Sequence, residues 1–167
     1  WQAFADYKEH GGRLCYLGGN GFYWRIAVHP DTTGILEIRR AESGIRVWAS
    51  EPGEYYNAFD GQYGGLWTRN GRPPQQLVGV GFTSQGDFVG SYYRKQSAAE
   101  DPRASWIFKD LTEDILGDFG LSGGGAAGFE VDRAEPRFGT PTNALILASS
   151  EGHSDYFMPV PEEMMNP

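Results

Sequence analysis

The stretch that most constrains this fold is an apolar run that breaks on a glycine-rich turn. Residues 13–17 are mostly apolar and have strand character, and three of the next four residues are glycine, with Asn20 among them. Glycines at such a break allow positive φ angles or a close backbone approach. The aromatic residues Phe22, Tyr23 and Trp24 follow. A sheet commonly delivers a polar side chain to a site in this way. The alternative is an ordinary strand-to-loop turn in which Asn20 caps backbone groups.

The segments around this turn predict an α/β fold. Residues 1–10 have the spacing of an amphipathic helix, with Trp1, Phe4 and Ala5 on one face, and Gly11-Gly12 should end it. A helix, a glycine cap, a buried strand and a glycine turn follow one another in doubly wound sheets. Further strands are predicted at residues 24–28, 35–40, 45–48, 77–82, 90–94, 129–133 and 144–150, with a brief helix at 113–116.

Composition and net charge disfavour nucleic acid and membranes as partners. The 167 residues fit a single domain and carry a net charge of −8 without a basic run, which disfavours nucleic acid and anionic membranes as partners. No apolar stretch approaches the roughly 18 residues that span a bilayer. The single cysteine, Cys15, lies in the predicted apolar strand and cannot form an internal disulfide. We therefore expect a buried, inert thiol and a reducing, cytoplasmic location.

Glu130 is the strongest candidate for acid–base chemistry on residue type and context. It follows a glycine–alanine run and Phe129. A carboxylate beside apolar groups is partly desolvated, which suits proton transfer. The alternative is a structural ion pair with Arg133. The three histidines, at 10, 29 and 153, have no metal-ligand spacing, so the chain offers no self-contained zinc site.

A second hypothesis from another class is a non-catalytic, aromatic-rich binding module, for example for carbohydrate. Tyr55, Tyr56, Tyr63 and Trp67 occur close together in a polar, glycine-rich setting. Exposed rings in a coplanar row would form a sugar platform. The alternative is that these rings pack loops onto the sheet.

Several sequence blocks occur in order along nearly the whole chain. They lie at residues 12–24, 64–67, 71–75, 77–82, 117–121, 124–133 and 147–155. Together they resemble the C-terminal domain of the large (beta) subunit of N,N-dimethylformamidase. The resemblance implies a three-layer α/β sheet similar to the class I glutamine amidotransferase (flavodoxin-like) fold, with an inserted strand- and loop-rich section. It also implies that residues 1–167 form one domain fragment, truncated at both ends.

The resemblance further implies an iron-dependent amidohydrolase that cleaves small N-substituted formamides, such as N,N-dimethylformamide, to formate and an amine. The family's pocket asparagine falls on Asn20 and its catalytic glutamate on Glu130, with Phe22 and Tyr23 as candidate pocket residues. The two tyrosines and the glutamate that hold iron in the family lie upstream, so we expect no metal ligand in this chain. The implied partners are a small amide substrate, the small (alpha) subunit and other large subunits of an oligomer.

Overall fold

The computed structural model describes residues 1–40, 51–86, 89–120 and 124–159. The strand predicted at residues 45–48 lies outside the described residues. The chain divides into two compact units. Among the described residues, the first unit contains 1–82 and 132–141, and the second contains 83–131 and 142–159.

The first unit begins with the predicted helix α1, Gln2–Glu9. No residue of α1 is fully buried, but Trp1, Ala5 and Lys8 are half-buried, at the spacing of one helix face. The Lys8 ammonium donates a hydrogen bond to the Leu77 carbonyl oxygen. This contact joins the helix to the body of the first unit. The helix itself is confirmed, but Phe4, expected on the same face, is 44 % exposed.

The predicted strand at residues 13–17 is wrong. Residues 12–18 have no regular secondary structure. Leu14 and Leu17 are exposed, at 39 % and 91 %, and the Cys15 thiol is exposed rather than buried. A strand needs a second backbone for its hydrogen bonds, and no described strand pairs with this segment. An apolar run predicts strand character, but it does not supply that partner.

Two short strands form an antiparallel hairpin, β1 at Ile26–Val28 and β2 at Leu36–Ile38. The register pairs Ile26 with Ile38, Ala27 with Glu37, and Val28 with Leu36. In the connecting turn, the His29 ring nitrogen Nδ1 accepts hydrogen bonds from the backbone N–H groups of Asp31 and Thr32. Because side chains alternate along a strand, Ala27 is buried while Ile26, Val28, Leu36 and Ile38 are exposed. We call these four residues the exposed hairpin face.

The core of the first unit consists of Tyr23, Leu66 and Phe82, with Trp24 packed against them. The Tyr23 and Phe82 rings meet edge to face, with 5.2 Å between their centroids. An isolated antiparallel β-bridge between Trp24 and Leu66 joins the residues after the glycine turn to the loop at residues 63–71. The aromatic residues that follow the turn therefore build the core.

A short helix replaces the first part of the strand predicted at residues 77–82. Helix α2 spans Pro74–Val78 and ends at Gly79, whose φ of 87° is left-handed. The Thr140 hydroxyl donates a hydrogen bond to the Gly79 carbonyl, with 2.7 Å between the oxygens. Pro73 and Pro74 precede the apolar pair of this segment and favour a helix start. The strand itself begins only at Gly81.

The remaining strands form two three-stranded sheets. They are β3 (Gly81–Gln85), β4 (Tyr92–Lys95), β5 (Ile115–Leu116), β6 (Glu130–Arg133), β7 (Ala148–Glu151) and β8 (Met158–Pro159). In one sheet β4 lies between β5 and β7, and in the other β3 lies between β6 and β8. The pairings of β4 with β5 and β7, and of β3 with β8, are antiparallel.

Two local predictions in the second unit are corrected. The segment expected to be a brief helix at 113–116 instead contributes β5, where Ile115 pairs with Arg94 and Leu116 with Tyr93. The strand expected at 144–150 begins at Ala148 and is half-buried. Pairing with β4 outweighs the weak helical preference of a four-residue stretch.

The described strands form small antiparallel sheets. The three-layer α/β sheet similar to the class I glutamine amidotransferase fold stays a prediction. That residues 1–167 form one domain fragment also stays a prediction. None of the helices in the described ranges has the length and apolar character needed to cross a membrane.

Candidate functional site

Asn20 lies in the turn formed by residues 18–21, which we call the glycine loop. Its side chain is exposed. Within the part of the chain that the structure describes, the amide of Asn20 makes no side-chain hydrogen bond. The amide is therefore open to solvent. A role of Asn20 in a site stays a prediction.

The Tyr16 side chain packs directly against the glycine loop. Its hydroxyl lies 3.4 Å from the Gly19 carbonyl oxygen and 3.3 Å from that of Gly21, the two residues on either side of Asn20. A Cβ atom at Gly21 would lie 2.7 Å from the Tyr16 ring atom Cε2. Gly21 has no positive φ, and a side chain at this position would force the Tyr16 ring to move.

The positive φ falls on the next residue, Phe22, at 57°. A left-handed conformation costs a bulky L-residue about 1–3 kcal/mol, so the surroundings must hold it. The Phe22 ring lies 5.8 Å from Trp1, 5.7 Å from Phe4 and 6.1 Å from Tyr16, measured between centroids. Such aromatic pairs contribute about 0.5–1.5 kcal/mol each, which is enough to offset the strain. We call Trp1, Phe4, Tyr16 and Phe22 the Phe22 cluster.

The two candidate pocket residues differ in exposure. Phe22 is half-buried within its cluster, whereas Tyr23 is 8 % exposed and belongs to the core of the first unit. The edge-to-face contacts of the Tyr23 ring with Trp24 and Phe82 explain why an aromatic residue suits this core position. Contact of either residue with substrate stays a prediction.

The Tyr16 hydroxyl is held in its neutral form. Burial, together with the negative charge of Asp132, raises the pKa of Tyr16 to about 12. Ionisation therefore requires strongly alkaline solution. At neutral pH the hydroxyl keeps its single proton and donates it in a hydrogen bond shared by the Gly19 and Gly21 carbonyl oxygens.

Glu130 is the first residue of β6 and follows a tightly packed glycine run. The Ala127 N–H donates to the Ser91 carbonyl at 2.8 Å, and Gly128 bridges to Ser91. A Cβ atom at Gly125 would lie 2.0 Å from the Ser91 oxygen, so only glycine fits there. The run thus fixes the backbone that leads into Glu130.

The surroundings of Glu130 differ from those expected. Its side chain is exposed, so the predicted partial desolvation is wrong for this chain. The ion pair with Arg133 is not formed either: the Arg133 guanidinium lies 3.2 Å from Glu135. Among the described residues Glu130 has no ion pair. Its carboxylate is therefore open to solvent and to ligands.

Asn20, Phe22 and Tyr23 lie in the first unit, and Glu130 lies in the second. The sequence analysis named each of them as a candidate site residue, and the structure describes the surroundings of each. The pocket shared by Asn20 and Glu130 stays a prediction.

The rings predicted as a carbohydrate platform are not coplanar. The Tyr63 ring is tilted by 52° to that of Tyr55 and by 85° to that of Tyr56. Trp67 instead packs against the Trp1 ring, with the Arg25 and Arg72 guanidinium groups 5.7 and 5.8 Å from its centroid. These rings pack loops together, which was the alternative interpretation.

A cavity of about 590 Å³ in the first unit was not indicated by any sequence motif. Its wall includes Glu37, Arg39 and Phe59. Glu37 accepts hydrogen bonds from Arg39 Nε at 2.5 Å and from the Phe59 N–H at 3.0 Å. Burial raises the pKa of Glu37, but these donors outweigh it and the net shift is downward. The carboxylate is thus charged and already paired.

The described residues do not bring together the side chains that a metal site needs. Across residues 1–40, 51–86, 89–120 and 124–159, no three side chains of His, Cys, Asp or Glu come together to hold a metal ion. These residue types therefore do not fit as a complete iron site within the described chain. The upstream position of the ligands stays a prediction.

Comparison with known proteins decides the family. A family model described as "N,N-dimethylformamidase beta subunit-like, C-terminal" matches residues 1–165. The chain belongs to this family. The resemblance inferred from the ordered sequence blocks is confirmed.

Two curated relatives in this dimethylformamidase family are both named N,N-dimethylformamidase beta subunit, one from Paracoccus aminophilus and one from Alcaligenes sp. Each is 39 % identical to this chain over 166 residues, which is 99 % of this chain and 22 % of the relative. The chain therefore spans about a fifth of the length of these relatives. Their name makes them subunits of a hydrolase with at least one partner subunit.

Proposed function

We propose that this chain is the C-terminal part of the beta subunit of an amidohydrolase that acts on small N-substituted formamides. N,N-dimethylformamide, cleaved to formate and dimethylamine, is the proposed substrate. The observation that carries the proposal is the family match over residues 1–165 together with 39 % identity to two N,N-dimethylformamidase beta subunits. Because the chain spans 22 % of those relatives, the activity is assigned to a complete enzyme with an alpha subunit.

Asn20 is proposed as the donor to the formyl oxygen. Its exposed amide has no partner among the described residues, and the glycine loop holds its backbone. When water adds to the formyl carbon, negative charge develops on the oxygen. A fixed amide N–H stabilises that charge more than it stabilises the neutral carbonyl, and this difference lowers the barrier.

Glu130 is proposed as the proton carrier. Its carboxylate takes a proton from the attacking water as the carbon–oxygen bond forms. It then gives the proton to the amide nitrogen as the carbon–nitrogen bond breaks, so that dimethylamine leaves rather than its anion. The carboxylate at the start of β6 can be reached by water and substrate, and it has no competing ion pair among the described residues. It can therefore take part in proton transfer once substrate is bound.

The family resemblance also implies a mononuclear iron, which would act as a Lewis acid toward the formyl carbonyl. The described His, Cys, Asp and Glu residues do not form its site. We therefore propose that the ligands belong to another part of the complete enzyme, and the steps above are assigned only to residues of this chain.

Formate release tests the proposal. The complete beta subunit, co-expressed with its alpha subunit, is assayed with N,N-dimethylformamide before and after iron loading. We expect equal amounts of formate and dimethylamine, with turnover that depends on iron. An iron-loaded enzyme that releases neither product from any small N-substituted formamide would contradict the assignment.

A further inference from the structure

We propose that Tyr16 is a positioning residue that fixes the backbone on both sides of Asn20 and thereby sets the direction in which the Asn20 amide donates. This inference rests on the proposed role of Asn20. It assigns Tyr16 no contact with substrate, since the side chain acts through the glycine loop.

The first support is the location of the Tyr16 hydroxyl. It faces the carbonyl oxygens of Gly19 and Gly21, at 3.4 and 3.3 Å, and these two residues flank Asn20. Among the described residues, neither carbonyl accepts a turn or loop hydrogen bond from a backbone N–H. The segment is not part of a sheet, so the phenol supplies the restraint that a neighbouring strand would otherwise give.

The second support is the fit between the Tyr16 ring and the glycines. A Cβ atom at Gly21 would lie 2.7 Å from Tyr16 Cε2 and 2.8 Å from its hydroxyl oxygen, and one at Gly18 would lie 3.5 Å from Cε2. The ring therefore lies against the loop backbone along both of these residues. The Tyr16 ring limits movement of the loop backbone on one side. Its hydroxyl limits movement of the Gly19 and Gly21 carbonyl groups.

The third support is the strained residue that follows. Phe22 keeps its φ of 57° because its ring packs against Tyr16 and against Trp1 and Phe4 at the start of α1. Tyr16 thus contacts the glycine loop before Asn20 and the strained residue after it. Strained backbone that is held by its surroundings is typical of pre-organised sites.

The hydroxyl also remains protonated under assay conditions, since the pKa of Tyr16 is raised to about 12. It therefore donates across the neutral and mildly alkaline range. A small displacement of a catalytic donor costs much activity, of the order of 10²-fold for about 1 Å.

The test compares Tyr16→Phe with Tyr7→Phe in the complete enzyme. Tyr16→Phe keeps the ring and removes only the hydroxyl. Tyr7→Phe is the matched control, because the Tyr7 hydroxyl also donates to a backbone carbonyl at 3.3 Å, that of Arg13. We expect Tyr16→Phe to lower kcat by about 10–10²-fold with little change in KM, as for a group that acts in the transition state. Tyr7→Phe should leave both parameters unchanged.

The double variant separates positioning from a general structural role. In the Asn20→Ala background the amide is gone, so adding Tyr16→Phe should lower kcat by less than about twofold more. An equal further loss in that background would overturn the proposal, because Tyr16 would then act independently of Asn20.

Hydrogen–deuterium exchange gives a readout that does not depend on activity. Peptides that cover residues 17–23 should exchange faster in Tyr16→Phe and at the normal rate in Tyr7→Phe. Unchanged exchange in Tyr16→Phe would overturn the loop contact. If Asn20→Ala retains full turnover, the proposed role of Asn20 is wrong. Faster exchange in Tyr16→Phe would then show that the Tyr16 contact with the glycine loop still exists, so the two failures can be told apart.

Discussion

At the scale of single residues, the positive φ and the close ring contact of the glycine loop region fall on different residues. Among the described residues, Phe22 is the one non-glycine with a positive φ. None of Gly18, Gly19 and Gly21 has a positive φ, and Gly21 leaves room for the Tyr16 ring. The sequence indicates a tight turn but not this division, because the position of the Tyr16 ring depends on contacts that no local pattern encodes.

Glu130→Gln should abolish most turnover in the complete enzyme. The substitution keeps the size of the side chain and removes its ability to carry a proton, which typically costs about 10²–10⁴-fold in rate. The measurement is kcat for formate release, with iron content and thermal unfolding measured on the same sample.

Glu113→Gln is the matched control for this variant, since Glu113 is another exposed carboxylate of the second unit. It should retain normal turnover. Loss of iron or of the folded state in Glu130→Gln would show that Glu130 is a ligand or a structural residue, and the acid–base assignment would be wrong.

At the scale of elements, the β1–β2 hairpin has an apolar surface on its solvent side. Val28 is 62 % exposed and its cross-strand partner Leu36 is 55 % exposed. Contiguous apolar surface of this kind favours association. Replacing the pair as Val28→Lys with Leu36→Glu should reduce binding of the dye ANS by at least about twofold and reduce self-association, while the free energy of unfolding changes by only about 0.5 kcal/mol.

Sedimentation velocity and dye fluorescence of the purified 167-residue chain check this expectation. Thr32→Lys with Thr33→Glu introduces the same two charges in the exposed turn of the hairpin, away from the exposed hairpin face. This control should leave association unchanged. Equal effects of the two double variants would show that added charge, rather than loss of apolar surface, controls association.

Elements with strong local signals could be predicted, and those that depend on distant partners could not. The helix α1 and the strands β1, β2, β4 and β6 follow from side-chain periodicity and from glycine or turn residues at their ends. The segment 13–17 has the apolar content of a strand and β5 has the composition of a helix start. Whether each segment forms a strand depends on whether another strand lies beside it to accept and donate backbone hydrogen bonds.

At the scale of the whole molecule, the chain carries a net charge of −8. Some of its carboxylates are paired with arginine in the folded state. Asp60 is an example in the first unit. Burial raises its pKa, but the Arg25 guanidinium, 2.5 Å away, and the Gln62 N–H outweigh this and hold the pKa below its ordinary value of 3.8. A lowered carboxyl pKa stabilises the fold above the ordinary value, and this contribution is lost as the pH falls through the lowered one.

We therefore expect the Tm to fall as the pH is lowered from 5 to about 2, and Asp60→Asn to show a smaller fall than the unmodified chain. Thermal unfolding followed by circular dichroism at several pH values measures this difference. Asp31→Asn, which removes an exposed carboxylate from the hairpin turn, should show the full acid-dependent fall. A parallel fall in Asp60→Asn would contradict the assigned role of the Arg25 pair.

The candidate site was predictable to different degrees. Glycine turns before Asn20 and Glu130 could be recognised from the sequence, and both have a defined backbone in the structure. The specific roles of these residues depended on the family resemblance, because an exposed amide and an exposed carboxylate are common on any surface. Burial of Glu130 was expected from its apolar neighbour Phe129, but Phe129 is itself 38 % exposed.

The exposure of Cys15 has a practical consequence. It is the single cysteine of the chain, its thiol is open to solvent, and it lies five residues before Asn20. A maleimide fluorophore or a nitroxide spin label can therefore be attached at one known position without introducing any substitution. Such a probe would report motions of the glycine loop in real time, including changes when an amide is added.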